Sequence, residues 1–292
     1  MMKYLLSRPF ALLLLALIWT VPVQADGPPA WSLQGENNTV WLLGSIHLLR
    51  EQDYPLPEKV EHLWSGTEVL VLEVNLDELD PMAMNRILAQ HGRLPAETTL
   101  VDILDETTLE RTREIVNELG LPEDQALQLR PWLLTTMLTV QAIEKAGYQS
   151  GLGLDMHLYQ RAREAGREIR GLESTEDQLR PLYELEREME VRYLRHTLED
   201  IENIEQQVPE MVRAWRENDH AALETLLIDS FAEFPELSDA ALATRNRAWV
   251  PQIIAMLEDE RDYLVVVGSA HLVGPDNVIE LLREQGFEAE AY

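Results

Sequence analysis

The chain has 292 residues, of which 46% are hydrophobic and 26% charged, and this composition excludes an intrinsically disordered protein. Acidic residues outnumber basic ones 52 to 24, and the net charge of −28 excludes nucleic acid as the expected partner, because phosphates carry the same sign. The sequence has no cysteine, so disulfides, thiolate metal sites and cysteine nucleophiles are excluded as well.

The first 25 residues have the pattern of a secretory signal peptide. Lys3 and Arg8 precede a short apolar run over residues 10–21, and an A-x-A-like exit ends at Ala25. The run is shorter than the roughly 20 residues that a membrane-spanning helix needs. We therefore expect cleavage after Ala25, with an uncleaved anchor as the alternative. The mature protein, residues 26–292, is expected to be a single periplasmic or secreted domain without membrane contact.

In chain order, strand-like patterns occupy both ends of the mature sequence and helical patterns occupy the middle. Strands are predicted over 31–33, 39–43, 69–72, 168–172, 263–267 and 287–292. Helices are predicted over 57–65, 81–90, 106–119, 125–146 with a break at Pro131, 154–165, 174–208 as one long charged helix, 211–216, 221–228, 238–257 and 275–285. The pattern predicts an α/β fold, in which a central mixed sheet is built from N- and C-terminal strands and carries a large helical insertion.

One motif occurs twice, each time after an apolar strand. Residues 42–48 (LLGSIHL) and 266–272 (VVGSAHL) share Gly-Ser-x-His-Leu, which places His47 and His271 at equivalent positions. The carboxyl ends of strands line the ligand crevice of open α/β sheets, and glycine lets the chain turn there. On neighbouring strands the two histidines would share one metal ion or one substrate. The alternative is two unrelated turns with hydrogen-bonded histidines.

Two glutamates occupy matching positions, since Glu73 and Glu173 each end an apolar strand. A carboxylate there is costly to desolvate unless it meets a metal ion, a cation or hydrogen-bond donors. Glu73 and His47 are expected to form either a general-base pair or two metal ligands. Glu173 has a structural alternative, because a helix begins directly after it. Asp155 is either part of the site or a helix N-cap.

Arg245 and Asn246 lie on a predicted helix that otherwise faces the core, and they are candidates to bind a carboxylate or an oxyanion. A surface ion pair is the alternative for Arg245.

Ser45 and Ser269 each lie two residues before a histidine, so serine-hydrolase chemistry remains an alternative. The role of His157 is also left open, and the other four histidines are expected at the surface: His62, His91, His196 and His220.

Taken together, these segments resemble the TraB/GumN family, which includes the Tiki proteins of animals. The resemblance rests on residues 41–47, 72–75, 151–155, 171–174 with Gln178, 245–246 and 267–271. It implies an α/β fold in which two G-x-x-H motifs meet at one site. Tiki proteins are described as metal-dependent proteases that use manganese or cobalt, and the wider superfamily includes esterases that use histidine and glutamate.

The resemblance and the residues together predict an exported metal-dependent hydrolase, a peptidase, acting on a peptide or small-molecule substrate. Manganese, cobalt or zinc would be held by the ligands His47, Glu73, His271 and Glu173. The ion would acidify a bound water, with Glu73 as proton acceptor and Arg245 or Asn246 stabilising the oxyanion. A non-catalytic protein that sequesters a peptide or small ligand is the main alternative, and an interaction protein using the long acidic helix is a third.

Overall fold

In the computed structural model, residues 27–292 are described, and the predicted signal peptide lies outside them. The strands form one six-stranded sheet with the order β4-β3-β5-β2-β1-β6. The strands are β1 (Ala30–Gln34), β2 (Thr39–Ser45), β3 (Val69–Val74), β4 (Glu168–Glu173), β5 (Tyr263–Gly268) and β6 (Glu290–Ala291). The sheet therefore joins segments from both ends of the chain, as predicted.

The sheet is mixed, and its pairing explains where the strand ends meet. β2, β5, β3 and β4 run parallel to one another, whereas β1 forms an antiparallel hairpin with β2 and pairs antiparallel with β6. The continuous apolar runs of β3 and β5 are buried, because helices cover both faces of a parallel sheet. The predicted α/β class is confirmed.

Helices fill the chain between the strands. They are α1 (Glu58–Ser65), α2 (Pro81–His91), α3 (Glu106–Glu118), α4 (Glu123–Ala126), α5 (Pro131–Lys145), α6 (Leu154–Ala165), α7 (Thr175–Tyr183), α8 (Arg187–Asp200), α9 (Ile204–Arg216), α10 (His220–Leu227), α11 (Pro235–Ser238), α12 (Thr244–Met256) and α13 (Val278–Glu284). Within residues 27–292, none of the helices is both long and apolar enough to cross a membrane.

Neighbouring residues of one strand point into different cores, as the two-residue period of a strand requires. Leu70 and Val266 belong to the larger core, which α1, α5, α6, α8 and α9 help to form. Val71 and Val267 belong to the smaller core, which α12 and α13 cover. The sheet thus lies between two helical layers. At the carboxyl ends of its parallel strands, α6 lies on one face of the sheet and α12 on the other.

The prediction of one long helix over 174–208 is wrong, because the segment contains α7, α8 and the start of α9. The break after α7 has a local cause. Nη2 of Arg130 donates to the carbonyl oxygen of Tyr183 at 3.0 Å and also bonds the carboxylate of Glu190, whose side chain is fully buried. Arg130 thus satisfies the last carbonyl of α7, which stabilises the end of the helix there.

The predicted helix 238–257 also differs in detail, since its first part is a π-helical turn over Asp239–Ala243 that leads into α12. The N–H of Thr244 bonds the carbonyl of Asp239, five residues earlier. Such turns occur frequently at functional sites. Here the turn lies directly before Arg245.

Candidate functional site

The site lies at the carboxyl ends of the four parallel strands. His47 follows β2, Glu73 lies near the end of β3, Glu173 ends β4, and His271 follows β5 by three residues. The strand register puts Ser45 opposite Gly268, and Val74 opposite Glu173. The sheet therefore brings residues from distant parts of the sequence to one edge, where open α/β sheets bind ligands.

Gly268 lies at the centre of three of these side chains. A Cβ atom on Gly268 would be 3.3 Å from Oε1 of Glu73, 3.4 Å from Nε2 of His47 and 3.7 Å from Cδ2 of His271. The N–H of Gly268 also donates to Oε1 of Glu73 at 2.7 Å. The structure thus places both G-x-x-H histidines and the β3 glutamate around one point.

Arg245 connects the two glutamates to His271. Its Nε donates to both oxygens of Glu173, at 3.1 and 3.0 Å, and its Nη2 donates to Glu173 at 2.6 Å and to Glu73 at 2.7 Å. Its Nη1 donates to the carbonyl of Ala241 at 2.9 Å and lies 3.2 Å from Nε2 of His271. A guanidinium has five N–H groups, and here all of them have acceptors. Arg245 therefore has no donor left for a substrate oxyanion.

Asn246 fixes the tautomer of His271. Its Nδ2 donates to the carbonyl of Asp276 at 2.9 Å, so its Oδ1 accepts from Nδ1 of His271 at 2.6 Å. Nε2 of His271 then carries the lone pair that faces Arg245. Asn246 is buried, and both ends of its amide are used within the protein. The structure therefore gives it a positioning contact with His271, not the contact with an oxyanion that was expected.

His47 is the exposed member of the group. Its side chain is 53% exposed, and Nδ1 lies 3.3 Å from Oδ1 of Asp155, which also accepts from Oγ of Ser45 at 3.1 Å. The N-cap of α6 is Gly153, and Asp155 lies in the first turn. Of the two interpretations of Asp155, the contact with His47 is therefore the one that the structure shows. Nε2 of His47 is left facing Gly268.

The surroundings give the two histidines opposite pKa shifts. Burial alone would lower the pKa of His47, but the hydrogen bond and charge of Asp155 and the charge of Glu73 outweigh it and raise the pKa. Burial lowers the pKa of His271 to about 3 against the charge of Glu73, so this ring is neutral at neutral pH.

The two glutamates also differ. Burial would raise the pKa of Glu73, but the charges of His47 and Arg245 and the hydrogen bond from the N–H of Gly268 lower it. Burial raises the pKa of Glu173, although Arg245 opposes this effect. Two further donors support the pair: Gln178 donates to Glu73 at 3.2 Å, and Nε1 of Trp249 donates to Glu173 at 3.1 Å.

The expected divalent ion does not fit these residues as they are placed. Within residues 27–292, no three histidine, aspartate or glutamate side chains are arranged to hold one ion. Arg245 gives the reason, because its guanidinium takes both oxygens of Glu173, one oxygen of Glu73 and the lone pair of His271. A second cation at the same carboxylates would meet like-charge repulsion. No step proposed below uses a metal ion.

The remaining candidates lie outside the central group. Oγ of Ser45 donates to Asp155, and Oγ of Ser269 donates to the carbonyl of Ser45, so both hydroxyl hydrogens already have acceptors other than a histidine. His157 is half-buried and lies against Tyr54. Of the four histidines expected at the surface, His62 and His220 are exposed, whereas His91 and His196 are half-buried against Tyr183 and Phe234.

Fold and site together define an α/β protein with a histidine–carboxylate group at the carboxyl ends of its parallel strands. The model of the TraB/PrgY/gumN family matches residues 29–291, and the chain belongs to this family. It is 25% identical to the uncharacterized protein YbaP of Escherichia coli K12 over 85% of this chain and 89% of YbaP. It is 23% identical to an uncharacterized protein of Treponema pallidum over 87% of this chain and 80% of that protein. No solved structure matches the chain significantly.

The loop before α6 provides a test of how His47 is held. A Cβ atom on Gly153 would lie 2.2 Å from the carbonyl oxygen of His47, whereas a Cβ atom on Gly151 would meet nothing within 4 Å. We expect Gly153→Ala to lower the free energy of unfolding by about 1–3 kcal/mol, because the His47 backbone must move. Gly151→Ala is the matched control and should leave stability nearly unchanged. Equal urea midpoints for the two variants would contradict this account of the loop.

Metal removal tests the position of Arg245. Because the guanidinium takes the ligand atoms, protein purified without chelator should contain well below one divalent ion per chain by mass spectrometry. Dialysis against a chelator should change neither its melting temperature nor any hydrolytic activity found for it. One manganese, cobalt or zinc ion per chain, lost together with stability, would show that Arg245 leaves these carboxylates in solution.

Proposed function

We propose that this chain is an exported hydrolase that cleaves an amide or ester bond, with peptides as its substrates, and that His47 carries the proton in the reaction. The observation that carries the proposal is the His47–Asp155 pair, which lies at the exposed mouth of a buried group of charged residues. The resemblance to the Tiki proteases makes peptides the first substrate class to test. The predicted signal peptide supports export to the periplasm.

The orientation of His47 supports a general-base role. When Asp155 accepts from Nδ1, the lone pair of neutral His47 is on Nε2, which faces the Gly268 side of the site. A histidine oriented by a carboxylate in this way takes a proton from an attacking water and later returns it to the leaving group. The charges of Asp155 and Glu73 stabilise the imidazolium that forms between these two steps.

The buried residues support His47 electrostatically. Glu73 is ionised at neutral pH, and its Oε1 and Nε2 of His47 both face Gly268, so its charge acts on the imidazolium that develops at His47. The single positive charge of Arg245 lies between Glu73 and Glu173 and offsets one of their two negative charges. His271 stays neutral, so it adds no charge. Hydrogen bonds within the protein hold these groups in place without a substrate, and such preorganisation favours electrostatic stabilisation of a transition state.

Loss of activity in two variants tests the proposal. A library of peptides and esters, analysed by mass spectrometry, should yield substrates for the wild-type protein. His47→Ala should lower kcat/KM for them by about 10²–10⁴-fold, the contribution of a positioned general base, and Glu73→Gln should also lower it. His220→Ala is the control, because this histidine is exposed and lies elsewhere.

The same experiment distinguishes a hydrolase from a protein that only sequesters its ligand. Retention of activity in His47→Ala would refute the role of His47. If the wild-type protein binds peptides from the library but cleaves none of them, it is a binding protein and the proposed reaction is wrong.

The pH dependence tests the Asp155 contact. His47 accepts a proton only when it is neutral, so kcat/KM should rise with pH until the pH exceeds the pKa of His47. Because Asp155 raises this pKa, the rise should lie at a higher pH than for an unperturbed histidine near 6.5. Asp155→Asn removes the raising charge and should move the rise to lower pH. A profile between pH 5 and 10 that does not shift in Asp155→Asn would contradict the assignment.

A further inference from the structure

We infer that the cavity between α7 and α12 binds an apolar side chain of the substrate, next to the bond that is cleaved. The inference rests on the proposed function and extends it to substrate choice. The cavity has a volume of about 460 Å³ and is lined by the ends of β4 and α7 and by one side of α12. This volume is within the range of small-molecule sites in proteins, which are about 300–1,000 Å³.

The cavity adjoins the site, because the two share residues. Glu173 and Arg245 line the cavity and also belong to the buried charged group. Trp249 forms part of the same wall, and its ring lies 4.8 Å from the guanidinium carbon of Arg245 and 4.4 Å from the ring of His271. A group bound in the cavity is therefore one side chain away from the group of residues around Gly268.

The lining indicates the chemistry of the occupant. Its apolar residues are Leu172, Pro181, Ala240, Ala248 and Trp249. Ala240 and Ala248 are small, so they leave space that larger side chains at these positions would fill.

The charged lining residues are largely paired within the protein. Asp177 bonds Ser174 and lies 3.0 Å from Arg180, and Glu173 is bonded to Arg245. An entering group therefore meets apolar walls and few free charges. An acidic substrate side chain is disfavoured, because it would be repelled by the acidic lining residues and by the net charge of −28. The acidic lining residues are Glu173, Asp177 and Glu184. A phenylalanine-like or leucine-like side chain fits both observations.

Ala248 and Ala255 provide a matched pair for the test. Both are exposed residues of α12, but only Ala248 lines the cavity. Ala248→Phe places a ring in the cavity without overfilling the core, whereas Ala255→Phe places the same ring on the outer surface. Both variants should keep the wild-type melting temperature.

The experiment measures binding by NMR and cleavage by mass spectrometry for two blocked tripeptides, Ac-Ala-Phe-Ala-NH2 and Ac-Ala-Ala-Ala-NH2. We expect the wild-type protein and Ala255→Phe to bind the phenylalanine peptide at least about tenfold more tightly, since apolar pockets discriminate side chains by about 10–200-fold. In Ala248→Phe this ratio should fall to about one, because the new ring occupies the cavity that distinguishes the two side chains.

Each result has a separate meaning. Equal affinity of the wild-type protein for the two peptides, or an unchanged ratio in Ala248→Phe, would overturn the assignment of the cavity. A ratio that falls as expected, without cleavage of either peptide, would keep the cavity as a binding site and refute the hydrolase.

Discussion

Two carboxylates that end adjacent strands, Glu73 and Glu173, lie side by side with 8% and 6% of their side-chain surfaces exposed, and they would repel each other without a cation between them. Arg245 provides this cation and bonds both. Its planar guanidinium also reaches His271 and a backbone carbonyl, so that all five of its N–H groups are used. A lysine, with three N–H groups on one atom, could not make the same set of contacts. The buried part of the site therefore depends on this residue.

This arrangement divides the site into a buried part and an exposed part. The buried groups are held in one protonation state: Glu73 is ionised, and His271 is neutral with its hydrogen on Nδ1. His47 differs, since its side chain is half exposed and its only close charged partner, among the site residues that the structure describes, is Asp155. The histidine that can exchange protons with solvent is thus the one at the surface, and the charges of Asp155 and Glu73 raise its pKa.

The sequence allowed the strand-end residues to be predicted, because continuous apolar runs identify buried parallel strands and the carboxyl ends of such strands meet at one edge. His47, Glu73, Glu173 and His271 were found in this way. For Arg245 and Asp155 the sequence left alternatives open, a carboxylate or an oxyanion for Arg245 and the site or an N-cap for Asp155. It could not choose between them, because both residues lie on helices whose position over the sheet depends on packing between distant segments. The wrong prediction of one helix over 174–208 has the same origin, since the contact that ends α7 comes from Arg130, in another part of the chain.

The two copies of Gly-Ser-x-His-Leu show how one sequence gives two different histidines. The two copies contact each other, because Oγ of Ser269 donates to the carbonyl of Ser45. A Cβ atom on Gly44 would lie 2.8 Å from Oγ of Ser269, so glycine at position 44 leaves room for this hydroxyl. The backbones differ after the glycine, because β2 continues through Ser45 whereas a 3-10 turn over Ser269–His271 follows β5, and a different helix packs over each turn. α6 brings Asp155 to His47 at the surface, whereas α12 brings Asn246 to His271 in the interior. Burial keeps His271 neutral, and Asn246 accepts the hydrogen on its Nδ1, whereas the hydrogen bond and charge of Asp155 favour the protonated form of His47. The two histidines of the repeated motif thus differ because their surroundings differ.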